Sequence, residues 1–374
     1  MLESNWRFFF EKELQSLNSK NLFRSLSFPH SRDFSSNDYL NLSKHPEIIK
    51  SFKEGLDFYY LGSTASRLIR GHRDSFEKAE TDLANWVKSE TSLLVSNGYS
   101  ANLGLLDSIA NPKTIIFTDR LNHASILDGI RISGAVKKYF NHRNTSHLRS
   151  LLEKSDKSSP KIIVSETVFS MDGDIALVDE LVELKKEFGA LLILDEAHAL
   201  GVFGEKGGGV SLDRKLFPSI DESDIDVRIF TGGKSLGLEG GFIASSEIIK
   251  QYLINKMRPF IFSTSILPAI AHSLSTAISI AKKMDEERKH ILQISEILRN
   301  SLKEKGYEVL NSKSQIIPLV LFSEEKSLHK SKELKEKNFD IRAIRPPTVK
   351  ESRLRISINS KIQFKDVEEL LTYL

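Results

Sequence analysis

The chain has 374 residues, 40% of them hydrophobic and 28% charged, with 53 bases against 50 acids for a formal net charge of +3. That length calls for two or three layered units rather than one small core, and the balance of charge argues against a nucleic-acid partner. Cysteine is absent, which excludes disulfides, thiolate metal sites and a cysteine nucleophile; a reducing compartment fits, and no metal site is expected.

In chain order, residues 1–30 read as an amphipathic helix and a loop ending at Pro29 and His30. Glu3 and Glu11 punctuate this stretch and no small-residue cleavage site follows, so no secretory signal is expected. No apolar run approaches bilayer-spanning length, which makes a cytoplasmic protein with no membrane partner the expectation. Residues 33–42 form a short polar-aromatic segment. From 44 to 250, β-rich runs at 92–96, 114–119, 136–141, 161–167, 190–195, 227–231 and 241–245 alternate with helical patterns at 75–88, 125–133, 146–154 and 178–188. Several runs, such as Ile162-Ile163-Val164, are continuously apolar, as expected of strands covered on both faces. Two long helical patterns follow at 267–283 and 286–305. Strands are then expected at 316–321, 339–343 and 354–358, and helices at 327–337 and 364–374. The Lys-rich run from 326 carries matching Glu and reads as a solvated helix face.

Strand–helix alternation predicts an α/β protein built on a doubly wound, mainly parallel sheet. The expected division is an N-terminal helix and arm over 1–43, a large domain over 44–265, and a smaller C-terminal α/β domain with an antiparallel sheet over 266–374. In an open α/β sheet, ligands bind beyond the carboxyl ends of the strands. His123, Ser170, Asp195 and the segment Thr231 to Lys234 all follow apolar strands, so they are expected on one edge.

Lys234 is the sharpest of these. It leaves the strand 227–231 inside Thr231-Gly232-Gly233-Lys234-Ser235. A lysine held near backbone and away from water has a lowered pKa and a free amine that can form an imine with an aldehyde. Asp195 ends the apolar strand before it, and a buried strand-end acid needs a cationic partner. His198 follows three residues on. Strand-acid then strand-lysine is what pyridoxal phosphate (PLP) requires: one carboxylate for the pyridine nitrogen and one amine for the aldehyde. Ser96-Asn97-Gly98-Tyr99-Ser100 opens a helix whose free N–H groups suit a phosphate, although alone it would read as a tight turn. His123 precedes another helix, where its flat ring could stack on a planar cofactor. Asp172-Gly173 marks a turn after Ser170. Arg353 and Arg355 alternate with apolar residues, so both point to one strand face, and a guanidinium there suits a carboxylate.

Asp195-Glu196-Ala197-His198 and Gly233-Lys234-Ser235 also echo a P-loop NTPase. The spacing excludes it, because a P-loop would need glycine where Arg228 stands, and the acidic motif precedes the lysine motif.

Taken together, Asp33-Phe34-Ser35-Ser36-Asn37-Asp38-Tyr39-Leu40, Phe169-Ser170-Met171-Asp172-Gly173-Asp174, Asp195-Glu196-Ala197-His198, the lysine loop and Ile344-Arg345-Pro346-Pro347-Thr348-Val349 resemble the α-oxoamine synthases, PLP enzymes of fold type I (aspartate-aminotransferase-like). The resemblance covers about nine-tenths of the chain, and two stretches, 169–174 and 344–349, resemble the branch that joins L-alanine to a pimeloyl thioester in biotin biosynthesis. It implies a decarboxylating C-acyl transfer in which Lys234 is covalent anchor and base. Asp195 then pairs with the ring nitrogen and His123 stacks on the ring. Ser170 and His198 lie at its phenolic oxygen, and Gly98, Tyr99 and Thr231 hold the phosphate. It further implies a homodimer with shared active sites, in which Asn37, Thr264 and Ser265 approach across the interface. Arg353 is implied for the amino-acid carboxylate, with Arg24 near the acyl substrate and Arg345 on the substrate side. The chain departs from the family pattern at 63–68, at Ala199-Leu200 and at Glu239. Glycine with acetyl-CoA or succinyl-CoA, a catalytically silent binding protein of the same fold, and CoA or acyl-carrier protein as thiol carrier all stay open.

Overall fold

The computed structural model describes residues 2–29 and 32–374; Met1 and His30, at the ends of the expected N-terminal segment, lie outside them. The chain begins with α1 (Leu2–Ser19), then β1 (Arg32–Asp33), α2 (Pro46–Tyr59), α3 (Asp74–Trp86), β2 (Thr91–Val95), α4 (Gly98–Ile109), β3 (Ile115–Asp119), α5 (Ala124–Ser133), β4 (Val136–Phe140) and α6 (Thr145–Glu153). It continues through β5 (Lys161–Glu166), α7 (Val178–Phe188), β6 (Leu191–Asp195), β7 (Val227–Thr231), β8 (Gly241–Ser245), α8 (Glu247–Lys256) and α9 (Arg258–Ile261). Last come α10 (Pro268–Ala281), α11 (Asp285–Glu304), β9 (Ile316–Val320), α12 (Glu324–Glu336), β10 (Phe339–Asp340), β11 (Arg342–Ile344), β12 (Arg353–Ser357) and α13 (Phe364–Thr372).

Seven strands form one sheet in the order β2-β8-β7-β6-β5-β3-β4, parallel throughout except for β8. The apolar runs follow from this: β5 is buried from its second residue to its last, because helices cover both faces. Parallel pairing brings Asp119, Glu166, Asp195 and Thr231 out at one edge. The reversed β8 starts there too, so Gly241 pairs with both Val95 and Thr231. This is the edge where an open α/β sheet binds ligands.

A second sheet, β11-β12-β9, is antiparallel as expected. The strand expected over 339–343 is divided: β10 leaves to pair with β1, and β11 joins β12. Helices α2 and α8 stand where the residue pattern suggests none. The start of α2 was nonetheless present in the chain, with Pro46 in the first turn followed by Glu47. Gly55 of α2 lets that helix approach α10 so closely that a Cβ would lie 2.9 Å from Ala269 Cα. Among the described residues, no helix is long and apolar enough to cross a membrane. Trp6, Phe8, Phe9 and Phe10 of α1 are exposed on the single chain.

Gly237 ends the turn after Lys234 with φ +66°, and a Cβ there would overlap the backbone N of Ser43. Gly306 has φ +83° but nothing within 4 Å. Gly306→Ala should therefore cost only the left-handed penalty, about 1 kcal/mol. Gly237→Ala adds a backbone clash and should cost about 3 kcal/mol or more, read as the larger loss of midpoint in chemical denaturation.

Candidate active site

Asp195 closes β6 and is 6% exposed. Its Oδ2 accepts from Asn102 Nδ2 at 2.6 Å, and its Oδ1 from the Ala197 N–H at 2.9 Å. Asn102 lies on α4 and also donates to Ser125 Oγ at 3.1 Å, so α5 steadies the amide that holds this carboxylate. Next to it, Glu166 ends β5 in register with Asp195 and is 3% exposed. Burial, reinforced by the Asp195 charge, pushes the Glu166 carboxyl up to about 8, and its Oε1 has no hydrogen-bond partner.

Lys234 follows β7. The residue keeps some surface, but its amine end is enclosed, and burial lowers its pKa to about 8 against the opposing pull of Asp195 and Glu166. The result is an amine that gives up its proton far more readily than an ordinary lysine and is neutral and nucleophilic above about pH 8. His198 Nδ1 lies 2.7 Å from the Tyr39 hydroxyl, and Gln315 Nε2 donates to the His198 carbonyl at 2.8 Å. Burial, together with the Lys234 and Arg355 charges, holds His198 well below the usual histidine range. Burial also raises the Tyr39 hydroxyl.

His123 caps α5, its Nδ1 accepting from the Ser125 N–H at 3.2 Å, and meets the Tyr99 ring edge-on at 6.2 Å between centroids. Its pKa is lowered by burial, partly offset by Asp195. Gly98 and Tyr99 open α4, so their N–H groups have no intrahelical acceptor; Asn97 caps the turn by accepting from the Ser100 N–H at 2.8 Å. A Cβ at Gly98 would stand 3.4 Å from Thr231 Cβ. Thr231 Oγ1 donates to the Gly240 carbonyl at 3.0 Å and accepts from the Gly233 N–H at 3.1 Å.

Lys234, Asp195, His123, His198, Thr231, Gly98, Tyr99 and Ser170 thus share one sheet edge. Asn37 lies beside Arg355 of its own chain, its Oδ1 accepting from Arg355 Nη2 at 3.0 Å and from the Tyr39 hydroxyl at 3.1 Å. The two strand arginines separate. Arg353 Nη1 is ion-paired with Asp172 at 2.6 Å. Arg355 donates through Nε to the Ser170 carbonyl at 2.7 Å, and its charge bears on Lys234 and His198. Thr264 and Ser265 lie apart, with Arg67 and Ser96 around a shallow cavity at the sheet's β2 edge. Arg24 and Arg345 form another group, where Arg345 reaches the Asn21 and Phe23 carbonyls and Arg24 donates to Thr348 Oγ1 at 3.1 Å.

Glu166, Asn102 and Tyr39 are the site residues to which the chain's pattern assigned no role. Glu166 carried the same signal as Asp195, an acid ending an apolar strand. Asn102 and Tyr39 carried none.

The model of the family "Aminotransferase class I and II" matches residues 30–374. Relatives from Bacillus cereus named "Putative 8-amino-7-oxononanoate synthase" are 36% identical over 383 aligned residues, covering 98% of this chain and 96% of theirs. A serine palmitoyltransferase from Sphingomonas wittichii superposes with a TM-score of 0.86 at 30% identity, over 91% of this chain and 85% of the other. One from S. paucimobilis, carrying PLP and myriocin, gives 0.90 at 26%, over 97% and 95%. The 8-amino-7-oxononanoate synthase of Francisella tularensis gives 0.79 at 27%, over 91% and 96%.

The Lys234 amine should react with formaldehyde and borohydride with a midpoint near pH 8, neutral and reactive above it, while exposed lysines titrate near 10.4. Asp195→Asn removes the attraction that opposes burial, so the midpoint should fall further. Mass-mapped labelling across a pH series reads both.

Proposed function

The chain belongs to the class I and II aminotransferase family and is a PLP-dependent transferase; on that premise, we propose that it joins L-alanine to a pimeloyl thioester to give 8-amino-7-oxononanoate for biotin biosynthesis. The Cα–H and Cα–carboxylate bonds of alanine break, one carbon–carbon bond to the acyl carbon forms, and CO2 and the thiol leave.

The residues fit the cofactor. The chain offers bare helix-start amides at Gly98, beside Thr231, a buried acid with two donors, and an amine of lowered pKa. Gly98, Tyr99 and Thr231 are assigned to the phosphate, Asp195 to the ring nitrogen, His123 to the ring face, and Ser170 and His198 to the phenolic oxygen side. When bound, PLP supplies an aldehyde for amine exchange and a cationic ring that takes up the electron pair left at Cα. The Lys234 amine receives the Cα proton and returns one to the same carbon after CO2 departs, a double task suited to a pKa of about 8. Two donors hold the Asp195 carboxylate in place, so that it would meet the ring nitrogen.

The amino-acid carboxylate is assigned to Arg355 with Asn37, rather than to Arg353, which already holds Asp172. The observation that carries the choice of acyl group is the Arg24–Arg345 pair. Burial and the Arg24 charge lower the Arg345 pKa, outweighing the attraction of Glu324. Two guanidiniums held this way suit an anion, and a pimeloyl chain brings a second carboxylate where a palmitoyl chain brings none. A second reading, serine with a long acyl thioester, is favoured by the higher superposition on the serine palmitoyltransferases. The proposal includes a homodimer in the cytoplasm, in which a second copy covers the exposed α1 aromatics and Thr264 and Ser265 serve the partner's site.

The test is the purified protein with PLP, offered L-alanine, glycine or L-serine with pimeloyl, acetyl, succinyl or palmitoyl thioesters on CoA or acyl-carrier protein. The expected product has the mass of 8-amino-7-oxononanoate; turnover of serine with palmitoyl thioester alone would replace this reading with the second. Loss of a charge-assisted bond costs about 1.5–3 kcal/mol, so Arg355→Lys should raise KM for L-alanine about 10- to 100-fold. Arg353→Lys should change it far less.

A further inference from the structure

Resting on the assignment of Arg355 to the amino-acid carboxylate, we propose that His142 is a positioning residue that sets amino-acid affinity by fixing the turn to which Arg355 is anchored. His142 touches neither Arg355 nor Lys234. It follows β4, with Nδ1 at 3.0 Å from Asp119 Oδ1 and Nε2 at 2.8 Å from Asp174 Oδ2. Both carboxylates are buried and both ring nitrogens face them, so both nitrogens donate and the ring is a cation. The two acids raise its pKa to about 10 against burial.

The neighbours tie this cation to the turn. Arg143 Nη1 adds a second positive charge 3.6 Å from Asp174 Oδ2, and the Arg143 N–H donates to Asp119 Oδ2 at 3.0 Å. The His142 ring stands perpendicular to Phe169, 4.5 Å between centroids. Phe169 and Asp174 are the two ends of one closed turn: the Phe169 N–H donates to the Asp174 carbonyl at 3.1 Å, and the Gly173 N–H to the Phe169 carbonyl at 2.9 Å.

Inside that turn stand the acceptors of both strand arginines. Ser170 gives its carbonyl to Arg355, and Asp172 its carboxylate to Arg353. The far side is pinned as well: the Gly173 carbonyl accepts from the Lys313 and Ser314 N–H groups at 2.9 and 3.1 Å. His142 is therefore the charged peg that ties the turn to the carboxyl ends of β3 and β4, while β12 reads its position through two guanidiniums. A displacement of about 1 Å in a substrate clamp can cost up to about 100-fold, so a remote peg matters to affinity.

The experiment uses the PLP-loaded protein with His142→Gln, which keeps the shape and removes the charge. Asp174→Asn serves as a milder second variant should the first fail to fold. L-alanine is titrated directly through the change it causes in cofactor absorbance, and kcat and KM are measured in parallel. Both variants should keep cofactor binding and hold kcat within about threefold, while the L-alanine dissociation constant and KM rise about tenfold. Combined with Arg355→Lys, His142→Gln should add little, because both act on one clamp. A fall in kcat with unchanged alanine affinity, or full additivity with Arg355→Lys, overturns the proposal. If Arg355→Lys itself leaves alanine affinity unchanged, the carboxylate assignment falls first and the role of His142 falls with it.

Discussion

A carboxylate at the tip of β6 and an amine just past the tip of β7 are both held out of water at one sheet edge, close enough for each charge to act on the other, and most of the site is arranged to make that tolerable. Burial disfavours both charges. Asp195 answers with two hydrogen-bond donors from α4 and its own turn, and Lys234 by losing much of its basicity. The parallel β6–β7 ladder fixes the spacing between them, because Asp195 lies beside Ile229, two residues before the end of β7. Glu166, one strand over, continues the row and carries a raised pKa for the same reason.

The small antiparallel sheet supplies what the large one cannot. A parallel sheet edge offers strand tips and helix starts, which suit a ring and a phosphate but leave substrate selection open. Strand β12 brings Arg355 to this edge by packing against the turn at 169–174, and Asn37 closes on the same guanidinium from near the N-terminus. The Arg355–Asn37 pair, proposed for the amino-acid carboxylate, is therefore assembled from segments more than 300 residues apart. That geometry makes affinity sensitive to anything that shifts the turn, including groups with no contact to substrate.

Legibility in the sequence followed the same division. The inner strands of the large sheet were readable because burial on both faces leaves largely apolar runs, and acids or lysines at their ends stand out against them, whereas the edge strand β4, with Lys137 and Lys138, is mostly exposed. Lys234 and Asp195 were found this way, and Glu166 carried the same mark. Asn102 was not legible, because its partner Asp195 is reached only after folding. Arg353 and Arg355 share a face at a spacing of two, and nothing local says which of them meets Asp172. That depends on how β12 lies against the 169–174 turn, a tertiary fact. Asn37 meets Arg355 of its own chain, a contact across 318 residues that no local pattern announces. Helix α2 escaped notice because its contact with α10 rests on Gly55, a residue that weakens helix propensity while permitting close approach.

The most direct measurement is borohydride reduction of the PLP-loaded protein followed by peptide mapping, in wild type and in Asp195→Asn. A single covalent label on Lys234, with the Asp195 variant retaining the label but losing the ability to exchange the Cα proton of L-alanine into solvent, is the predicted result. A label on any other lysine, or proton exchange undiminished without Asp195, would contradict the account.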